Sequence, residues 1–516
     1  RLEKNLGRAW GLLGAGSVAG GETVRRPRRP HRQTQDPGPP LGLPDAFRKP
    51  VRHSRPVSGY DSRNMPRHAA FHCLRSSSHK PLREVDRVAR ERGLSPRDKS
   101  LLRKIVGTEV RRRGTLRAVV GSFSHHKPKP ELATFLRIGL AQILFMDRVP
   151  EHAAVSETVR ASSDILGLSK GKIVNGVLRS VLREMREGKS GDPTRDIDGR
   201  PIHFDYAMFR DPGVHPHLWA EDALSIPNAL HKKWSLRYGL DEANEMARAA
   251  QEEPALSIRI TPMQTDSVEA LRAELTELSV ETTMSTSHPR IMLAPADVTG
   301  VVVRSVPFLE GRITIQGEHA LRAAESAGNV EGLDVLDLCA APGGKTAVLA
   351  SRKPARLVAT DLSAFRMERM PSTFERLHVA APLLVAMDST RGLAADAAFD
   401  VVFIDAPCSN TGVLAQRPAA RWRYGPRSQG ELTVLQAQLI REAALHVKVG
   451  GALVYSTCSL EAEENDRIVK SFLKDAAAVA GKGAWEVEQE RTSRPGVFES
   501  GGPVDGGYAA RLRRKR

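Results

Sequence analysis

Two cysteines stand just past apolar runs that read as strands. Cys408 lies in Asp405-Ala406-Pro407-Cys408-Ser409-Asn410-Thr411-Gly412, and Cys458 in Tyr455-Ser456-Thr457-Cys458-Ser459-Leu460. A cysteine within a strand is usually a small buried hydrophobe, but one in a polar loop beyond a strand is poorly explained by packing. Metal binding would need His or further Cys ligands nearby, and the sequence offers none. Thiolate chemistry is the remaining use, because the thiolate is the nucleophile.

A second feature narrows that chemistry. The run Asp337-Leu338-Cys339-Ala340-Ala341-Pro342-Gly343-Gly344-Lys345-Thr346 is a small-residue turn between a strand and a helix. Small residues let backbone approach a ligand closely, and a helix N-terminus offers unpaired N–H groups to an anion. The Gly-Gly-Lys-Thr ending resembles a nucleotide-phosphate loop, but that motif requires glycine where Cys339 stands. Asp361 follows Gly344 by 17 residues, close to the spacing at which an acidic side chain takes ribose hydroxyls. Asp388 could hold an adenine amino group, and Asp405 ends the next strand. An Asp after a strand is more often a cap or a surface charge, yet successive strands ending in the turn or in Asp point to an adenosine-containing cofactor. Two thiols beside such a site suit methylation of cytosine at carbon 5. That carbon becomes nucleophilic once a thiolate adds to carbon 6. Afterwards the carbon 5 proton must leave and the thiolate be expelled, which calls for a second group nearby. Asp405 is placed to hydrogen-bond the cytosine edge near N3 and the amino group.

These residues need a frame. Apolar runs at Asp334–Leu338, Arg356–Thr360, Leu383–Ala386, Val401–Ile404 and Ala452–Ser456 alternate with helical stretches, the pattern of a doubly wound parallel sheet within an α/β domain over 326–516. Ligands of such sheets bind beyond the strands' carboxyl ends, where every candidate residue falls. Upstream, Leu136, Leu140, Ile143 and Leu144, and Val174, Val177, Leu178, Val181, Leu182 and Met185, lie on helix faces. They predict an all-helical domain over 65–190. The Asp, Gly and Pro of Gly191–Pro216 read as a linker. Within 191–325, Leu256–Ile260, Ile291–Ala294 and Val301–Val303 read as strands beside a helix over Val268–Leu278, a small α+β module.

The chain has 77 Lys plus Arg against 60 Asp plus Glu, a net charge of +17 and a pI near 10.0, which suits a phosphate-coated partner. Residues 1–64 hold 13 basic and 5 acidic side chains, so +8 of that charge sits there. Rich in Arg, Pro and Gly and without period, they read as disordered, with the native start expected at Met65 and a genuine RNA-binding arm as the functional alternative. Four widely separated cysteines, 73, 339, 408 and 458, read as reduced thiols in a cytosolic compartment. No run reaches the roughly 18 to 20 apolar residues of a membrane span.

The stretches Leu338–Lys345, Asp405–Leu414 and Tyr455–Asn465 resemble the signature motifs of the Sun/Fmu (RsmB-like) family of 16S ribosomal RNA cytosine-5 methyltransferases. Further similarity lies in Arg421-Trp422-Arg423, in Leu435, Gln436 and Gln438 leading to Gly450-Gly451, and in Asp505-Gly506-Gly507-Tyr508. Leu136–Val159 and Lys170–Arg183 resemble a NusB-like RNA-binding domain. The resemblance implies a Rossmann-like class I methyltransferase domain using S-adenosylmethionine, with small-subunit ribosomal RNA as substrate and no obligate protein partner. It implies Cys458 as nucleophile and Cys408 as the cysteine that assists product release. The cofactor set would be Cys339, Ala340, Ala341, Pro342, Gly343, Gly344, Lys345, Asp361, Asp388 and Asp405, with Lys345 also reaching the target base. Two positions depart from the pattern: Gly317 stands where an acidic residue is usual, and Gly507 where an aromatic one is.

Two other readings compete. A non-enzymatic NusB-like RNA-binding factor would need only the helical domain, and leaves the cysteine motifs without a use. A DNA cytosine methyltransferase would attack from a Pro-Cys dipeptide such as Pro407-Cys408, and has no need of Cys458.

Overall fold

The computed structural model describes residues 65–516 apart from 78–79, 262–266, 392–395, 497–500 and 503; the expectations for 1–64 lie outside the described residues. From Pro66 the chain runs through helices Pro66–Arg75, Pro81–Glu91, Pro96–Phe123, Pro130–Phe145, Glu151–Leu166 and Leu168–Glu184. Proline opens four of them, where its missing N–H costs nothing and its fixed φ is already helical. Ser95 caps the longest by accepting from the Asp98 N–H at 3.1 Å. Leu136, Leu140, Leu144, Val174, Leu178 and Val181 of the expected faces are all buried in one apolar core.

That core extends beyond the compositional break. The Gly191–Pro216 stretch, read as a linker, carries Ile197, Phe204, Met208 and Phe209 into the same cluster. Part of it pairs as a hairpin, β1 (Met185–Glu187) against β2 (Ile202–Phe204). Three more helices, Pro216–Ala223, Asn228–Tyr238 and Leu240–Gln251, add Trp219, Leu230, Trp234 and Met246. Turn-forming residues here shape short connections between buried anchors rather than a spacer.

Next comes an antiparallel sheet of β3 (Leu256–Ile260), β4 (Thr283–Met284), β5 (Ile291–Ala294) and β6 (Ile313–Ile315), in the order β4-β5-β3-β6. Leu271 and Leu275 of helix Val268–Glu277 share its core. Val301–Val303, read as a strand, is not one. Helix Thr299–Val302 takes up the run, with Val302 buried and Val301 exposed, and Ile313–Ile315 supplies the edge strand instead. A three-residue apolar run cannot distinguish the two periods.

The C-terminal domain holds a seven-stranded sheet: β7 (Asp334–Leu338), β8 (Arg356–Asp361), β9 (Leu383–Ala386), β10 (Phe399–Asp405), β11 (Val447–Thr457), β12 (Trp485–Ser493) and β13 (Gly507–Arg514), ordered β12-β13-β11-β10-β7-β8-β9. The five strands read from sequence form its parallel part. β13 and β12 add two antiparallel strands at one edge. The chain winds outward from β7 through β8 to β9, then returns to place β10 on the other side of β7. The switch point therefore lies between β7 and β10, where such folds bind ligands.

The helical body and the sheet domain are joined by the turn Pro418–Arg423. Arg421 is fully buried and donates to the carbonyls of Pro418, Leu414, Arg111, Ser225 and Ala250. Trp422 Nε1 donates to the Val110 carbonyl at 2.7 Å, and the guanidiniums of Arg113 and Arg117 lie over its ring. Among the described residues no helix is long and apolar enough to cross a membrane.

Candidate active site

The turn after β7 is shaped by its glycines and held by Asp361. Gly343 takes φ +94° immediately before helix Gly344–Ala350, and Cys339 also has positive φ. Ala340 N–H donates to the Thr360 carbonyl at 2.8 Å, and Ala341 N–H to Asp361 Oδ2 at 3.1 Å. The other Asp361 oxygen accepts from Ser363 N–H and from Arg366, whose guanidinium also reaches the Ala341 carbonyl. Asp361, the expected ribose ligand, thus also braces the turn. Asp388 forms a local turn, accepting from Thr390 N–H at 3.0 Å and Thr390 Oγ1 at 2.7 Å; these bonds hold its carboxyl below the usual carboxylate range. Its segment stays near Asp361 through a bond from Met387 N–H to the Asp361 carbonyl. Burial pushes the Cys339 thiol up to about 12, so it stays protonated.

Lys345 and Asp405 meet across the switch point, with Nζ 2.7 Å from Oδ2. Burial works against the ammonium, but Asp405 outweighs it and raises Lys345 above its ordinary value. Beneath them Asp337 accepts from Thr346 Oγ1 at 2.6 Å, and burial lifts its carboxyl to about 7.

At the ends of β10 and β11 the structure brings Cys408 and Cys458 together, their sulfurs 3.0 Å apart. The two are not equivalent. The Cys408 hydrogen bond lowers Cys458, aided by Arg417 and Lys345 against burial and Asp405, while the same bond and burial raise Cys408 well above a free thiol. Proton and charge therefore separate, with the thiolate favoured on Cys458.

Residues that the strand-end reading did not single out fix this pair. Buried Glu464, six residues past Cys458, accepts from Ser409 N–H at 2.9 Å, Ser459 Oγ at 3.0 Å and Gln436 Nε2 at 3.0 Å. Gln436 also donates to the Pro407 carbonyl. Ser409 and Ser459 hydroxyls meet at 3.0 Å, and Gly412 N–H donates to the Cys458 carbonyl at 3.0 Å. The carboxylate so close after Cys458 was a signal in the sequence; its orientation back onto both loops was not.

The family comparisons fit this geometry. Residues 328–512 match the model of the 16S rRNA methyltransferase RsmB/F, and residues 65–183 that of the NusB family. Over 400 residues, the chain is 30% identical to a Synechocystis protein named "Probable ribosomal RNA small subunit methyltransferase B", covering 76% of this chain and 84% of that protein. The chain belongs to the RsmB/F methyltransferase family. Similar relatives include the ribosomal RNA small subunit methyltransferase B of Serratia proteamaculans, 29% identical with 72% and 79% covered. The crystal structure of PH0851 shares the fold at a TM-score of 0.66, with 22% identity over 88% of this chain and 98% of that one.

Both departures from the RsmB/F pattern have a local cause. A Cβ at Gly317 would collide with the Asp505 carboxylate, which accepts from the His319 N–H at 3.1 Å and so caps helix Glu318–Glu325 from a distant part of the chain. The carboxylate that a side chain at 317 would bring is already supplied. A Cβ at Gly507 would collide with the His319 ring and the Thr457 carbonyl. His319 fills that space, its Nε2 2.9 Å from the Thr457 oxygen, and burial lowers it to about 4, so the neutral ring donates there. Gly317→Ala should therefore destabilise the fold by about 1–3 kcal/mol through overpacking. An unchanged urea midpoint would show that Asp505 can move aside.

Proposed function

We propose that this RsmB/F family member transfers a methyl group from S-adenosylmethionine to carbon 5 of a cytosine in small-subunit ribosomal RNA, through a covalent bond between Cys458 and carbon 6. The observation that carries this reading is the thiol pair, 3.0 Å apart at the sheet edge and beside the Lys345–Asp405 pair. Cys458 attacks. Cys408 is kept protonated by its neighbour and by burial until attack. Once Cys458 is bonded to carbon 6, Cys408 gives that proton to solvent. Its thiolate then takes the carbon 5 proton, and the C–H electron pair re-forms the 5,6 double bond and expels Cys458 as a thiolate. Asp405 hydrogen-bonds the base edge, and Lys345 approaches the base from the other side of the switch point. The names of the relatives, which specify small-subunit ribosomal RNA, support that substrate, as does the charge of +17.

The residues present fit the cofactor. Asp337 Oδ1 and Gln316 Oε1 are buried acceptors beside the turn with no partner among the described residues, as suits an ammonium or sulfonium group. Ala340–Lys345 would hold the methionine end, Asp361 the ribose and Asp388 the adenine. When bound, the cofactor supplies an electrophilic methyl group. Asp361→Ala removes charge-assisted hydrogen bonds of roughly 1.5–3 kcal/mol and should weaken S-adenosylmethionine about ten- to a hundred-fold; unchanged affinity by calorimetry would reject that role.

The deciding experiment incubates the full chain with methyl-labelled S-adenosylmethionine and small-subunit ribosomal RNA, then analyses the nucleosides. Label in 5-methylcytidine is expected. Label in any other nucleoside would overturn the proposal.

A further inference from the structure

The side chain of Asn410 sits between the two cysteine loops and touches three groups. Its Nδ2 donates to the Cys408 carbonyl at 2.6 Å, and its Oδ1 accepts both from Arg417 Nη1 and from the Cys458 thiol, the latter at 3.3 Å. The first two contacts fix the amide's orientation, because only the nitrogen can donate to a carbonyl and only the oxygen can accept from a guanidinium. The backbone at Asn410 has φ 63° and ψ 29°, the left-handed region that non-glycine residues occupy sparingly and that asparagine tolerates best. Arg417 is exposed, and a long exposed side chain held to one partner gives up rotamer freedom. A packing role does not require a charged side chain tied to the same amide oxygen as the thiol.

We propose that Asn410 and Arg417 are coupled positioning residues for the nucleophile: the amide aims the guanidinium at Cys458, and the fixed positive charge stabilises the sulfur's anion. The proposal rests on the reading of Cys458 as the attacking thiol. The charged and titratable groups around that sulfur are Cys408 and Asp405 from the end of β10, Lys345 from the turn after β7, and Arg417. Cys408, Lys345 and Arg417 favour the thiolate, while burial, Asp405 and the Asn410 oxygen that accepts from the thiol oppose it. Arg417 stands apart from these in being exposed, so an uncharged substitution there disturbs no core. Attraction between two groups that share one hydrogen-bonding oxygen, through partly aqueous surroundings, is enough to change the thiolate fraction several-fold.

Alkylation of Cys458 by iodoacetamide in the full chain, followed against pH and assigned by peptide mass, measures that fraction without RNA or cofactor. Arg417→Met should slow alkylation at pH 7 about three- to ten-fold and move the profile to higher pH, while Arg417→Lys should retain most of the wild-type rate. Asn410→Gly keeps the left-handed backbone and deletes only the amide, so in that background Arg417→Met should change the rate less than two-fold. An unmoved profile for Arg417→Met would overturn the role of the charge. An equal effect with and without Asn410 would overturn the coupling. Failure of the underlying reading looks different, because a covalent complex with RNA would then persist in Cys458→Ala whatever the alkylation profile.

Discussion

Cys458→Ala is expected to abolish methyl transfer, on the order of 10⁴-fold or more, and with it every covalent enzyme–RNA species. Cys408→Ala is expected to do the opposite to the adduct. The nucleophile remains, so addition and methyl transfer can proceed, but the group that helps release the product is gone. A denaturant-resistant complex between protein and methylated RNA should then accumulate on a gel, and the double variant should lose it. The asymmetry of the pair underlies this order of roles: the Cys408 hydrogen bond holds Cys458 below a free thiol and Cys408 well above one. Removing Cys408 also removes the largest influence lowering Cys458, so addition in Cys408→Ala should itself slow and recover as pH rises. If Cys408→Ala eliminates the adduct while Cys458→Ala traps it, the roles are reversed and attack comes from the Pro407-Cys408 loop.

Much of this site was legible because parallel α/β sheets bring distant segments to one edge. Five apolar runs placed at β7 to β11 were enough to put Cys408 and Cys458, 50 residues apart, at the active edge of one sheet; that β10 and β11 pair directly came from the structure. Period and turn chemistry carry that information locally. What they do not carry is contact between segments whose own patterns are weak. β12 shows mostly exposed positions and β13 is rich in arginine, so neither resembles the buried runs of the centre. Asp505 capping a helix near residue 318, and His319 filling the space beside Gly507, are contacts across more than 180 residues that no spacing rule reaches. Gly191–Pro216 was misleading for another reason. Its Gly, Pro and Asp mark where the chain turns, while only a few apolar anchors, Ile197, Phe204, Met208 and Phe209, reveal that the turns are packed.

Arg421→Met should separate the helical body from the sheet domain and lower stability by about 3–5 kcal/mol. The guanidinium is fully buried and among the described residues bonds to no carboxylate; burial has lowered it to about 9, and five backbone carbonyls share its donors. Those carbonyls belong to three parts of the chain: Arg111 in the longest helix, Ser225 and Ala250 in the later helical region, Ser225 in the loop after helix Pro216–Ala223 and Ala250 in helix Leu240–Gln251, and Leu414 and Pro418 in the segment that follows Cys408. Methionine fills much of the volume but donates nothing, leaving buried acceptors unpaired. The loss falls on the junction, where Leu414, Ala420 and Leu460 pack into the helical core, while the centre of the sheet keeps an apolar core of its own. Urea unfolding should change from a single transition into two, with the helical and sheet domains reporting separate midpoints. Limited proteolysis should cut first between 411 and 425. Trp422→Leu, which removes the 2.7 Å bond to Val110 and the ring beneath Arg113 and Arg117, should move the same transition less, since it strands only one carbonyl. A single unshifted transition in Arg421→Met would mean that the interface holds without its arginine, and that the Cys408 segment is positioned from the sheet domain alone.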